Sequence, residues 1–289
     1  MKPTNVDKIY WPQDKITKGD LLHYYESISS FILPYLKNRP LVMHRFPDGI
    51  TGESFYQKEA GEHLPSFIKT FSIRHEERKV SYIVVQNLES LLYVVNLGSI
   101  ELHPFNASLK HLHNPDYMVF DLDPEDIAFD RVIDTAQAIH ELLDSLKIPN
   151  YCKTSGATGL HIYVPLHCKY DFQQVQQIMF ILASKVHDKI PDFTSLERSP
   201  KKRQKKVYID YLQNREMQTV VCAYSVRAKP HATVSTPLDW KEVKYGLNPA
   251  DFTIKTVPER VNGQKDLFKA ILGKGINLET LLKKLDKGT

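Results

Sequence analysis

The sequence predicts a mixed α/β (α+β) fold whose second half rests on one strand-helix-strand-strand-helix-strand unit. Short apolar runs bounded by Pro, Gly or Asp recur between residues 117 and 212. Two longer stretches between them, 129–147 and 172–189, carry apolar residues at helical spacing. A third observation says where chemistry belongs. Two acids sit one residue apart in the first of those runs, Tyr117-Met118-Val119-Phe120-Asp121-Leu122-Asp123-Pro124.

The elements follow in order. The stretch 17–37 reads as a helix: Thr17 caps it, Leu21, Leu22, Tyr25, Ile28, Ile32 and Leu36 recur on one side, and Pro34 kinks or ends it. Strands are expected near 40–46, 53–58, 71–75 and 80–85, a short helix over 88–97 and a strand over 99–103. The central unit then runs as strand 117–123, helix 129–147, strands 151–154 and 160–165, helix 172–189 and strand 206–212. That is the ferredoxin-like, RRM-like split arrangement, in which the first and last strands can be neighbours. From about 245 the chain turns helical, at 248–251, 265–272 and 277–285. No internal repeat or low-complexity linker appears. The expectation is one compact domain over 1–289, with an N-terminal αβ subdomain over about 1–110 and a catalytic module with C-terminal helices over 111–289.

Strand side chains alternate faces, so Asp121 and Asp123 point the same way, about 7 Å apart. Two like charges side by side resist ionising together, and a divalent cation relieves them. Carboxylate oxygens suit hard ions such as Mg²⁺ or Mn²⁺. The ordinary alternative is a turn, because Asp-x-Asp before Pro also suits a strand end or helix cap. Lys153-Thr154-Ser155-Gly156-Ala157-Thr158-Gly159-Leu160-His161 reads as strand, glycine turn, strand. Ser155, Thr158 and the turn amides could form an anion nest, and His161 could donate to a phosphate oxygen. A plain hairpin with a core histidine fits as well. Asp210 sits mid-run in Lys206-Val207-Tyr208-Ile209-Asp210-Tyr211-Leu212, where a carboxylate is costly unless paired or metal-bound. Just before it, residues 198–206 carry six Lys or Arg in nine positions, a solvated loop or a holder of polyanions. Glu101 and His103 could brace the acids from the preceding strand.

The order DLD, SGxxGLH and a strand Asp resembles the archaeo-eukaryotic primase superfamily, and within it the polymerase domain of bacterial DNA ligase D. The resemblance covers nearly the whole chain, from Asn5-Val6-Asp7-Lys8-Ile9-Tyr10-Trp11-Pro12 through His44-Arg45-Phe46-Pro47-Asp48-Gly49 and Ser54-Phe55-Tyr56-Gln57-Lys58 to Ala223-Tyr224-Ser225-Val226-Arg227 and Trp240-Lys241-Glu242-Val243. It implies a primase-polymerase fold and a set of roles. Asp121, Asp123 and Asp210 would hold two divalent ions, Mn²⁺ or Mg²⁺, one serving the primer 3′-hydroxyl and one the triphosphate. Ser155, His161 and Arg227 would contact the triphosphate, with Lys58 near the nucleotide. Phe55 and Tyr56 stand where the family has two aromatics that pack on bases. Lys8 and Lys18 match lysines that grip a 5′-phosphate across a DNA gap. Arg203 and Gln213 would lie near the active centre. Thr158 departs from a basic residue common in the family, which puts triphosphate affinity in question, and Tyr211 replaces a common Trp.

The activity so implied is template-dependent nucleotidyl transfer that fills gaps and extends ends in double-strand break repair by non-homologous end joining. Partners would be gapped or broken DNA with a 5′-phosphate, NTP or dNTP, Ku and an ATP-dependent DNA ligase. The rivals are a metal-dependent nuclease using the same acids, and a catalytically impaired DNA-end adaptor.

Composition agrees without deciding. Hydrophobic content is 42% and charged content 25%, ordinary for a globular protein. Net charge is +4 and the pI about 8.7, which permits a nucleic-acid partner. Cys152, Cys168 and Cys222 form no CxxC pair, so structural zinc is not expected, and a reducing cytoplasm fits. His103, His111 and His113 lack zinc spacing. The opening residues lack an apolar secretory segment, and no run reaches the ~18 apolar residues of a membrane span.

Overall fold

The computed structural model describes residues 2–76 and 78–287. They form two compact units, interleaved along the chain. The first comprises the segment ending at Lys110, Thr219–Thr236 and Ala250–Asp266. The second comprises His111–Gln218, Pro237–Pro249 and the segment from Leu267 onward. The sequence reading divides the chain once, near 110; the two later returns to the first unit were not legible there.

In the first unit a hairpin of β1 (Ile9–Trp11) and β2 (Ile16–Thr17) leads into α1 (Lys18–Ser27) and α2 (Ser29–Leu36). Thr17 caps α1 in a capping box with Asp20. The expected single helix breaks at Ile28. There the Ser27 hydroxyl donates to the Tyr24 carbonyl and competes with the helical ladder. Pro34 lies inside α2, which ends two residues later. Then come β3 (Leu41–Arg45), β4 (Phe55–Gln57), β5 (Lys69–Arg74), β6 (Lys79–Val84), α3 (Leu88–Asn96) and β7 (Ser99–Pro104). The strands make a five-stranded sheet in the order β4-β3-β6-β5, with β7 also paired to β3.

Buried hydroxyls explain why the chain returns to this unit after residue 218. Tyr24 donates to the Tyr224 carbonyl at 2.9 Å, and the Tyr25 hydroxyl accepts from Val226 N–H at 3.0 Å while donating to the Ile100 carbonyl at 2.7 Å. Trp11 Nε1 donates to the Lys229 carbonyl at 2.8 Å. Such groups, fully buried, need partners, and the returning segment supplies them.

The second unit is a six-stranded sheet with helices. It contains β8 (Tyr117–Pro124), α4 (Phe129–Ser145), β9 (Tyr151–Thr154), β10 (Leu160–Pro165), α5 (Phe172–Lys189), β11 (Thr194–Ser195), β12 (Val207–Asp210) and β13 (Pro237–Leu238). The strand order is β11-β12-β8-β10-β9-β13. The inner four strands, β12-β8-β10-β9, realise the split arrangement read from sequence. Helix α4 buries Val132, Ile133, Ala136, Ile139, Leu142 and Leu143 of the expected stripe, with Leu146 past its end half-buried, and α5 buries Val175, Ile178, Met179, Leu182 and Val186, as expected. Strand β12 stops at Asp210, short of the predicted 212. The Leu212 N–H turns back to Asp210 Oδ1 at 2.8 Å and starts a 3-10 turn. Of the helical tail, α6 (Val257–Val261), in the first unit, was not predicted, 265–272 forms only a 3-10 turn at 269–272, and α7 (Leu278–Lys287) belongs to the second unit. No helix among the described residues is long and apolar enough to cross a membrane.

Candidate active site

Register builds the second unit's centre. On β8, Asp121 stands opposite Asp210 of β12 on one side and His161 of β10 on the other, and His161 stands opposite Lys153 of β9. Directly opposed residues share a face, so Lys153, His161, Asp121 and Asp210 form one row across four strands. Asp123 continues the same face, opposite Tyr208. Residues about ninety positions apart in sequence meet because the split topology makes the first and last strands neighbours.

The row is a chain of contacts. Lys153, fully buried, lies 2.8 Å from His161 Nδ1, and His161 Nε2 lies 3.0 Å from Asp121 Oδ1. An ammonium only donates, so Nδ1 accepts and Nε2 carries the proton toward Asp121. Gln213 Nε2 donates to Asp121 Oδ2 at 3.4 Å. Asp210 Oδ1 accepts from the Tyr208 hydroxyl at 3.1 Å, and the Arg203 guanidinium lies 3.9 Å over the Tyr208 ring. Burial and then the Asp121 charge push the Asp210 carboxyl up. Asn214, a residue sequence reasoning gave no role, clamps the strand beneath the acids. It accepts from Val119 N–H and donates to the Val119 carbonyl, each at 2.7 Å. Its only signal in the sequence was its position four residues after Asp210.

The glycine turn is built for close approach. A side chain at Gly159 would place Cβ 2.1 Å from the Leu122 carbonyl oxygen, so only glycine lets β10 run against β8. Gly156 takes φ +71°. The Ser155 hydroxyl accepts from the Ala157 and Gly159 amides at 3.1 and 3.0 Å, so these amides serve the turn itself. Thr158 is exposed at its tip.

The chemistry of the donor set fits divalent metal. Carboxylates stand opposite each other on neighbouring strands, and burial, then the Asp121 charge, raises the pKa of Asp210. Among the described residues, however, no three His, Cys, Asp or Glu side chains converge into a ready-made metal cluster. The acids are instead engaged by His161, Gln213, Tyr208 and the Leu212 amide.

The first unit holds the other predicted residues. Tyr56 and Phe55 are exposed on β4, Tyr56 stacked on His44 with centroids 4.1 Å apart and Phe55 5.2 Å under the Arg45 guanidinium. Lys58 follows them, exposed. Arg227 Nε lies 3.0 Å from Glu101 Oε1. Glu101 and His103 thus brace Arg227 and His44 of their own unit. Lys8 pairs with Asp48. Lys18 is buried and donates to the Thr4 carbonyl at 2.7 Å. Burial, then the charges of Lys8 and Arg45, lower its pKa, so these three cations share one positive field.

Comparison with known proteins agrees with this architecture. The family model described as LigD, primase-polymerase domain, matches residues 17–268. The bifunctional non-homologous end joining protein LigD of Bacillus subtilis is 35% identical over 263 residues, 90% of this chain and 42% of that protein. The multifunctional LigD of Pseudomonas aeruginosa is 31% identical over 252 residues, 87% of this chain and 30% of that one. The chain thus spans less than half the length of these curated relatives. The polymerase domain of Mycobacterium tuberculosis ligase D, solved in complex with DNA, shares the fold with a TM-score of 0.88 at 23% identity, over 96% of this chain and 99% of that chain. The chain belongs to the LigD primase-polymerase domain family, nucleotidyltransferase-type enzyme domains of end-joining proteins.

Proposed function

We propose that this domain performs template-dependent nucleotide addition at gapped or broken DNA during non-homologous end joining. The observation that supports it most is the row Lys153–His161–Asp121–Asp210, which sets two carboxylates from opposite ends of the catalytic unit side by side. Asp121, Asp123 and Asp210 would hold Mn²⁺ or Mg²⁺. When bound, such ions supply activation of a primer 3′-hydroxyl and neutralisation of phosphate charge.

The chain's own groups do the rest. His161, whose tautomer Lys153 fixes, points its Nε2–H at Asp121 here and would pass that donor to a phosphate oxygen once an ion holds Asp121. Arg227 contributes a planar guanidinium suited to bidentate phosphate contact. Tyr56 and Phe55 offer exposed rings on which a base can stack. Lys8 and Lys18 hold a downstream 5′-phosphate by charge. Gapped DNA, NTP or dNTP, Ku and an ATP-dependent ligase are the partners this reading calls for.

The test is extension of a labelled primer across a short gap with a downstream 5′-phosphate. Mn²⁺ or Mg²⁺ and either rNTPs or dNTPs are supplied, and wild type is compared with Asp123→Ala. Templated addition lost in the variant is expected. DNA bound but never extended by wild type would overturn the reading.

A further inference from the structure

Strand β7 carries a carboxylate outside that chemistry. Glu101 is 3% exposed, and both its oxygens are engaged. Oε1 lies 3.0 Å from Arg227 Nε and accepts the Ala228 N–H at 3.0 Å. Oε2 lies 3.0 Å from His103 Nε2 and 3.3 Å from His44 Nδ1. Register produces the arrangement: His44 of β3 stands opposite Glu101, and Tyr56 of β4 stands opposite His44. The Tyr56 ring lies on His44 at an interplanar angle of 12°, and its edge meets His103, with centroids 5.8 Å apart. One buried carboxylate therefore touches Arg227 directly and Tyr56 through two imidazoles.

The arrangement has a physical purpose. A free arginine side chain carries rotamer entropy, which a ligand must remove when it binds. Here the guanidinium is held at one end by Glu101 before any ligand arrives. Nε lies 3.0 Å from the carboxylate, so the plane of the guanidinium is set from its inner end. The Tyr56 ring is held flat while its outer face stays open, with the residue 59% exposed.

We propose that Glu101 is a positioning residue that pre-sets Arg227 for the phosphates and the His44–Tyr56 stack for the base of a nucleoside triphosphate. This rests on the nucleotidyltransferase reading above. It places the recognition of both ends of the nucleotide under one side chain that touches neither.

The experiment is a double-mutant cycle on ATP binding, measured calorimetrically with Mn²⁺ and without DNA. The proteins are wild type, Glu101→Gln, Arg227→Ala and the double variant. Glu101→Gln is expected to weaken ATP roughly tenfold, and the double variant to lose less than the two single losses together, the share carried through the His44–Tyr56 stack remaining. In primer extension the loss should fall on KM for the nucleotide rather than on kcat, a split that a general loss of folded protein would not produce. Glu101→Asp keeps the charge but withdraws it by one methylene. It carries the same cycle if the glutamine variant does not fold. Losses that simply add, or ATP affinity unchanged by either Glu101 variant while Arg227→Ala weakens it, would overturn the proposal. ATP bound by Arg227→Ala as tightly as by wild type would instead remove Arg227 from the triphosphate reading, and this proposal with it.

Discussion

Glu101 on β7 and Asp121 on β8 are both buried strand carboxylates, yet their surroundings differ in sign. Around Glu101 stand Arg227, His44 and His103. Burial alone would raise its pKa, but the histidine contacts and the Arg227 charge outweigh burial and hold it well below the usual carboxylate range. Asp121 faces His161 on one side and the like charge of Asp210 on the other, and Asp210 is raised by burial and by Asp121. A carboxylate among cations is settled by the protein. A carboxylate beside another stays under repulsion until a counter-charge arrives, and functional sites are where such repulsion is kept.

The sharpest way to break this comparison is Asp121→Ala. Nucleotide addition should fall more than about a thousandfold, while the melting temperature does not drop, because repulsion on Asp210 is removed with the side chain. A variant that still extends primers would make the two centres equivalent. Next comes Gly159→Ala. Its Cβ cannot coexist with the Leu122 carbonyl at 2.1 Å, so β10 must move away from β8 and break the row. A loss of about 3 kcal/mol in denaturant unfolding is expected, with addition impaired.

Mn²⁺ should raise the melting temperature of wild type by mass action and leave Asp121→Ala unmoved. An equal shift in both would place the ion elsewhere. Acid titration of stability compares the centres directly, in chelator. Glu101 has a depressed folded pKa, so its contribution is complete above the unfolded value near 4.5 and drains away as pH falls below it. The destabilisation caused by Glu101→Gln should therefore shrink below about pH 4.5. Asp210 has a raised folded pKa, so its cost appears as pH rises from the unfolded value of 3.8 through the folded one. Asp210→Asn should stabilise at pH 7 and lose that gain in acid. Parallel pH profiles for the two variants would refute the difference in sign. The smallest effect belongs to Lys8→Ala, which should lower the salt dependence of DNA-end binding by about one unit of slope.

Much of the centre was legible because strands have a period of two. The alternation in Asp121-Leu122-Asp123 needed no coordinates to place two acids on one side, and the register of β12 on β8 adds Asp210 to their face. The SGxxGLH turn was legible because close backbone approach demands glycine. The role of Glu101 was misread as bracing the acids. Sequence adjacency to β8 suggested that, whereas its partner Arg227 lies 126 positions away, and spacing alone carries no such pairing. The break at Ile28 escaped because apolar periodicity continues through it, while the Ser27 hydroxyl shares the Tyr24 carbonyl with the Ile28 amide.

What the sequence by itself determined are the local periods: which runs are strands, which faces of α4 and α5 are apolar, and which acids share a side. These are properties of residues a few positions apart, fixed by backbone geometry. Only the tertiary structure decided the register that sets Asp210 opposite Asp121, that residues 219–236 and 250–266 return to the first unit, and that Lys153 fixes the tautomer of His161. Those outcomes depend on buried polar groups finding partners across long loops, where many pairings satisfy the same sequence pattern and packing selects one.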